Sequence, residues 1–345
     1  MDAKIIFFCV CTFLFTIFMT WVIRCHALRK AILDIPNERS SHRIPTPRGG
    51  GIAIVLSFLI SLTGLYLAGW IDANFTVALI GGGLIIAITG YCDDIYSLKA
   101  RSRILLHILA AMWALYWLGG FPVLDIGIEK ITLPHMGYLL ALITIIWCTN
   151  FYNFMDGIDG LAGSEGIFVA LASGIALSLM GAFHLSIVMY LLTASILGFT
   201  VWNWPPAKIF LGDVGSGFLG FVFAVIALHT ANQQLLSVFF WLTLSGIFLW
   251  DATFTLLYRA LRGKRWYEAH REHAYQHLIA LGANHKQVTI SITLFNCCLL
   301  LPMACVIFYW PAYLLKLTSL SILSLGFTWI FIKSLSSSAI HINTK

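Results

Sequence analysis

Charge is what this sequence has least of. Only 10% of its 345 residues are Asp, Glu, Lys or Arg, while 59% are hydrophobic. Soluble globular chains carry about 25% charged residues, so this one cannot present a polar surface to water on all sides. The same composition excludes disorder, a collagen-like repeat and a coiled coil. Paired cysteine signals are missing too. None of the eight cysteines is in CxxC spacing, and Cys9, Cys11, Cys148, Cys297, Cys298 and Cys305 lie within apolar runs, where Cys is a small hydrophobe. A disulfide scaffold is excluded, and sulfur-based metal or redox chemistry has no support. No A-x-A-like cleavage site follows the first apolar run, so that run reads as a membrane span and not as a leader. There is no internal repeat.

Long apolar runs fill the chain instead, each near the ~20 residues that cross a bilayer. Spans are expected at about 5–23, 50–70, 75–91, 103–120, 134–151, 162–181, 184–202, 214–231, 235–257, 289–310 and 312–332. The expected fold is an all-α polytopic transmembrane helical bundle of about eleven spans, one integral membrane domain over 1–345. Eighteen of the 21 Lys and Arg residues fall on one side of it, with Lys4, Lys130 and Lys316 on the other. By the positive-inside rule the basic side is cytoplasmic, which puts the N-terminus outside and the C-terminus inside. Most acids share that side. An active site built from loops 24–50, 92–103, 150–163, 203–217 and 258–288, acting on a polar cytosolic substrate, is therefore expected.

Five constellations lie on that side. The first loop carries Glu38, Arg39, His42 and Arg43, then Pro45-Thr-Pro47-Arg48-Gly49-Gly50-Gly51. Its prolines stiffen it, and its glycine amides can approach an anion, with Arg48 the candidate phosphate contact. A purely topogenic basic loop is the alternative. Asp93-Asp94 ends the third span, and adjacent carboxylates there need a cation or strong donors to hold them. The segment Asn150-Phe-Tyr-Asn153-Phe-Met-Asp156-Gly157-Ile-Asp159-Gly160 repeats a polar residue every third position. A helix spreads four such side chains by about 60° per step, whereas a tightened or unwound end brings them into register. Two amides and two carboxylates suit an oxygen-ligand Mg²⁺ site or a polar pocket; Asp159 capping the next helix is the alternative.

The fourth, Phe210-Leu-Gly212-Asp213-Val-Gly215-Ser216-Gly217, opens the eighth span, with Asp213 either a metal ligand or a helix cap. The fifth is His270-Arg271-Glu272-His273-Ala-Tyr-Gln-His277. If helical, its three histidines share a face. It lacks the HExxH order of a zinc peptidase, so imidazoles with Arg271 and Lys264 suit a diphosphate better. A basic amphipathic surface segment with Trp266 and Tyr267 at the membrane interface is the alternative.

Together these strings, PTPRGGG, Asp93-Asp94, NFYNFMDGIDGLAG, FLGDVGSGFLG and the His-containing loop, resemble the polyprenyl-phosphate N-acetylhexosamine-1-phosphate transferases from about Pro36 to His277. The resemblance implies transfer of a sugar 1-phosphate from a UDP-N-acetylhexosamine to undecaprenyl phosphate, with release of UMP. It implies dependence on Mg²⁺, with Mn²⁺ as an alternative ion, held by Asp213 and Asn153 with Asp94 nearby. Asp93 would face the lipid phosphate, Asp156 and Asp159 would shape the nucleotide pocket with Asn150, and His273 and His277 would contact the donor's diphosphate or sugar. Many relatives have a tighter HIHH string where this chain reads HAYQH, which leaves the pairing of individual histidines open. That variant looks more like the O-antigen-initiating branch. The implied setting is the bacterial inner membrane with the site facing the cytoplasm, no nucleic acid partner, and a homodimer as a candidate assembly. A lipid-linked sugar flippase is the rival class; its acids would sit near the midplane in repeated halves.

Overall fold

A computed structural model describes residues 3–36, 44–120, 123–126, 129–265 and 270–343. Glu38, Arg39, His42, Arg43, Trp266 and Tyr267 lie outside the described residues. Helices occupy all the expected runs: α1 (Ala3–Arg29), α2 (Gly51–Leu67), α3 (Ala73–Tyr96), α4 (Ala100–Leu118), α5 (Pro134–Phe154), α6 (Leu161–Leu179), α7 (Phe183–Asn203), α8 (Asp213–Asn232), α9 (Val238–Leu244), α10 (Gly246–Leu261), α11 (Ala274–Ala280), α12 (His285–Phe295), α13 (Leu301–Tyr309) and α14 (Leu314–Asn343). Two short antiparallel pairs, β1 (Leu33–Asp34) with β2 (Thr46–Pro47) and β3 (Leu124–Asp125) with β4 (Lys130–Ile131), brace loops.

The protein is an all-α polytopic membrane protein. Among the described residues eight helical segments are long and apolar enough to cross a bilayer, and a ninth if α9 and α10 count as one. By that measure α2 is short, at 17 residues, and α4 carries Arg101 and Arg103 in its first turn. The expected span 235–257 is broken, because α9 and α10 meet at 79°. The break falls at Ser245-Gly246, and Ser/Gly pairs are among the few features that kink helices sharply. The expected span 289–310 contains a π turn at Asn296–Leu300, just ahead of Pro302, whose missing N–H interrupts the α pattern.

At the centre stands α8, with nearly all its side chains buried. It packs against α3 and α5, with α2 and α4 completing the ring; α1, α6 and α7 form one flank, and α10 packs on α14 and α5 on the other. The outer helices turn Phe7, Leu14, Phe18, Leu323 and Phe327 outward, a large exposed apolar surface that suits lipid. One close approach places the site. A Cβ on Gly90 would stand 2.5 Å from the Asp213 carbonyl carbon, so only glycine lets the end of α3 lie directly against the first turn of α8.

Candidate active site

The first turn of a helix has amides without intrahelical partners. Its N-cap in α8, Gly212, has no side chain to satisfy them. Asp94 does so from α3, accepting from the amides of Asp213 (2.9 Å) and Val214 (3.3 Å). Asp213 is thus not the cap, and its carboxylate is free to point into the space between helices.

Two arginines hold the acids in place. Arg48 Nε lies 2.6 Å from Asp94 Oδ1, and its Nη2 lies 3.1 Å from Asp213 Oδ1. Burial works against the Arg48 charge, but Asp94, Asp213 and Asp34 outweigh it and raise its pKa. Arg103 Nη1 is 2.6 Å from Asp93 Oδ2 and 3.5 Å from Asp213 Oδ2. Asp93 also accepts from the Leu98 amide at 2.6 Å. These are the strong donors that an adjacent carboxylate pair requires.

From α5, Asn153 Nδ2 donates to Ser216 Oγ at 3.0 Å, which in turn donates to the Gly212 carbonyl. Asn150 donates to Ile146 O and lies 3.3 Å from His107 Nδ1. Asn150, Asn153, Asp93 and Asp213 line one cavity with Arg103 and His107. The chain leaves the helix after Phe154, so Asp156 lies in the connection to α6. Its carboxyl is pushed up to about 8 by burial and then by Asp213, with Arg48 opposing and Asp94 and Asp159 adding to the rise. Three carboxylates, Asp93, Asp94 and Asp213, against two guanidiniums leave the cluster short of positive charge.

Other expected residues sit elsewhere. Asp159 lies 3.2 Å from His285 Nδ1 and accepts from the Ala207 amide at 2.9 Å. It does not cap α6, whose N-cap is Gly160. The amides of Gly50 and Gly51 are committed to the carbonyls of Phe210 and Leu211 (2.9 and 2.8 Å), so they do not face an anion. The three histidines do not share a helix face, because α11 begins only at Ala274. His273 is buried at its start; His277 Nδ1 is 2.9 Å from Ser336 Oγ on α14. Arg271 is exposed beside them. His270 is pushed down to about 4 by burial, then by His273 and Arg259, so it is neutral at pH 7.

Sequence reading missed Arg103, Ser216 and His285 as parts of this architecture. Arg103 was readable only as topogenic charge, although it stands one short loop after Asp93.

As for a metal, the donors are hard oxygens, the kind Mg²⁺ selects. Among the described residues no three His, Cys, Asp or Glu side chains form a ready-made cage. Mg²⁺ is ordinarily held by one or two carboxylates plus substrate phosphates, and Arg103 Nη1 already occupies a cation's position between Asp93 and Asp213. The residues fit such an ion.

The sequence model of glycosyl transferase family 4 matches residues 76–231, which hold Asp93, Asp94, the Asn150–Asp159 segment and Asp213. The "Decaprenyl-phosphate N-acetylglucosaminephosphotransferase" of Mycobacterium tuberculosis (strain ATCC 25618 / H37Rv) is 30% identical over 312 residues, 81% of this chain and 76% of the relative. The chain belongs to the polyprenyl-phosphate N-acetylhexosamine-1-phosphate transferases. Within this family it is also similar to the "Probable undecaprenyl-phosphate N-acetylglucosaminyl 1-phosphate transferase" of Bacillus subtilis (strain 168), 29% identical over 282 residues covering 80% of this chain and 77% of the relative. A third relative is the "Phospho-N-acetylmuramoyl-pentapeptide-transferase" of Endomicrobium trichonymphae, 29% identical over 71% of this chain and 75% of its own. As a member of this transferase family the protein is a membrane enzyme of polyprenyl-phosphate sugar-phosphate transfer. Arg48 and the His270–His277 stretch lie outside the residues that the family model matches.

Proposed function

We propose that the protein transfers N-acetylhexosamine 1-phosphate from a UDP-sugar to undecaprenyl phosphate at the cytoplasmic face of the bacterial inner membrane. The products are undecaprenyl-diphosphate-sugar and UMP, and the reaction begins an envelope polysaccharide such as O-antigen. The observation that carries this reading is the Arg48–Asp94–Asp213–Asp93–Arg103 cluster at adjoining ends of α3 and α8, with a surplus of carboxylates. The excess of Lys and Arg on the same side supports its cytoplasmic orientation, with eleven crossings, N-terminus outside and C-terminus inside.

The chemistry needs anions brought together more than it needs a base. A phosphate monoester has its second pKa near ~6, so the lipid phosphate is largely dianionic at neutral pH. One of its oxygens attacks the sugar-bearing phosphorus, the bond from that phosphorus to the bridging oxygen breaks, and UMP leaves while the sugar C1–O bond stays intact. Mg²⁺, bound by Asp213 and Asn153 with Asp94 nearby, would supply Lewis-acid neutralisation of phosphate charge. Arg48 and Arg103 present guanidinium donors to the phosphates, and Asp93 sits where the lipid phosphate would arrive. Asn150, on the cavity shared with Asn153 and Asp213, would shape the nucleotide pocket with Asp156 and Asp159, and Arg271, His273 and His277 would meet the donor.

The test is transfer in detergent with undecaprenyl phosphate and a panel of UDP-N-acetylhexosamines, UDP-N-acetylglucosamine first, with and without Mg²⁺ or Mn²⁺. UMP release and a lipid diphosphate sugar, both lost without metal, are expected. Binding of a lipid-linked sugar without transfer from any donor would favour transport instead.

A further inference from the structure

Beyond the bend at Ser245-Gly246, α10 carries a buried acid, Asp251, which the sequence reading did not single out. An acid inside a membrane bundle is costly without partners. Asp251 has three kinds. Thr255 Oγ1 donates to its Oδ1 at 3.1 Å, the Ala274 amide donates to both oxygens (2.9 and 3.0 Å), and His273 Nδ1 stands 3.6 Å from Oδ1. That ring nitrogen is buried and has no hydrogen-bond partner among the described residues.

The ring itself is held by packing. It stacks on Tyr275 (centroids 5.8 Å apart) and on Phe154 (6.4 Å), the residue that follows Asn153. Tyr275 Oη donates to the Phe154 carbonyl at 3.1 Å, and a Cβ on Gly157 would fall 2.1 Å from Tyr275 Oη, so glycine is required for the fit. His273 is therefore fixed against the Asn153–Asp156 connection, with one edge turned to a carboxylate.

We propose that Asp251 is a positioning residue for the transfer reaction: it accepts the Nδ1 proton of His273, fixing its tautomer and leaving Nε2 to serve the diphosphate of the nucleotide sugar. A carboxylate behind an imidazole sets which nitrogen carries the proton and how the ring is aimed. The 3.6 Å separation is a contact that tightens when substrate is bound, as such hydrogen bonds do. This proposal rests on the functional reading above, in which His273 meets the donor.

The experiment measures KM for the UDP-sugar, KM for undecaprenyl phosphate and kcat on the full-length protein in detergent. The variants are Asp251→Asn, His273→Ala, their double, and Ala274→Pro. Proline is tolerated at the first position of a helix, so Ala274→Pro removes the capped amide and leaves the Asp251–His273 pair in place. Expected are a rise in donor KM of about tenfold or more in Asp251→Asn, an acceptor KM within about twofold, and a double variant no worse than His273→Ala alone. Ala274→Pro is expected to keep the wild-type donor KM. A wild-type donor KM in Asp251→Asn, multiplicative losses in the double, or the same loss in Ala274→Pro would each overturn the proposal. Should Asp251→Asn fail to fold, Asp251→Glu takes its place in the same cycle, and the same coupling to His273 is required. A wild type without transfer activity overturns the functional reading and this proposal together; an active wild type with an indifferent Asp251 overturns this proposal alone.

Discussion

Asp94 and Asp213 are neighbours in space with opposite consequences when altered. Asp94 is 2% exposed, accepts two amides from the first turn of α8 and is the nearer partner of Arg48. Removing one member of a buried ion pair costs about 3–5 kcal/mol, and the loss of a helix cap adds about 1 kcal/mol. Arg48 keeps Asp213 at 3.1 Å, so the lower end of the pair range applies, and with the cap Asp94→Ala is expected to cost about 4 kcal/mol. Asp213→Asn keeps the shape while removing a charge crowded by Asp93 and Asp94, and both arginines retain another carboxylate. Its stability change is expected within about 1 kcal/mol of zero, while turnover falls by about 10² or more through loss of electrostatic stabilisation. Thermal unfolding in detergent, followed by tryptophan fluorescence, separates the two beside an assay of UMP release. On the scale of soluble domains Asp94→Ala lowers the midpoint by roughly 8–16 °C and Asp213→Asn by little. Equal destabilisation by both variants would refute the assignment of the capping role to Asp94.

Gly90→Ala would press a methyl onto the Asp213 backbone, costing about 1–3 kcal/mol and most activity, so a fully active Gly90→Ala would show that α3 and α8 do not approach this closely. Burial works against the Glu272 charge, but Lys264, Arg259 and Lys333 outweigh it and lower its pKa. The resulting stability is present above the ordinary Glu value of about 4.3 and is lost as pH falls through the lower folded value. Glu272→Gln should therefore melt earlier than wild type at pH 7 and match it in strong acid; a gap that persists in acid would rule this out. Asp156 has the opposite sign: its folded value near 8 means its ionisation opposes folding as pH rises from its ordinary value toward 8. In EDTA, Asp156→Asn should melt a few degrees above wild type at pH 8 and no higher at pH 4; a variant less stable at both would count against the crowding of charge.

The helices were legible because apolar runs long enough to span are a direct statement about solvent. The chemical residues were legible because carboxylates beside membrane boundaries are expensive. What could not be read was which partner each found. Asp94 and Asp213 are 119 residues apart, so a cap supplied from another helix leaves no local trace, and Asp213 alone resembled its own cap. Arg103 looked like one more cytoplasmic charge until α4 brought it between Asp93 and Asp213. The histidines invited a helical wheel, but Asp251 receives the Ala274 amide and starts the helix one residue after His273. The break at Ser245-Gly246 was open to reading, since the dipeptide is in plain view within an otherwise apolar run.

With Asp94 occupying the amides of α8, an incoming phosphate cannot use that helix end and must be met by Arg48 and Arg103. Each guanidinium that turns to a phosphate leaves a carboxylate without its cation, and in the proposed reaction an oxygen pair so released would take the divalent ion. Under the proposed function, metal and nucleotide therefore assist each other, and by linkage each raises the other's affinity by the same factor. Titration of Mg²⁺ with and without saturating UMP should show tighter metal binding with the nucleotide by about 5–150-fold, the usual range of coupling between sites. Arg103→Gln, which leaves Asp93 without its guanidinium and Asp213 with Arg48 alone, should bind Mg²⁺ more tightly alone and lose most of that coupling. Equal Mg²⁺ affinity with and without UMP in the wild type would mean that the arginines do not trade their carboxylates for phosphate.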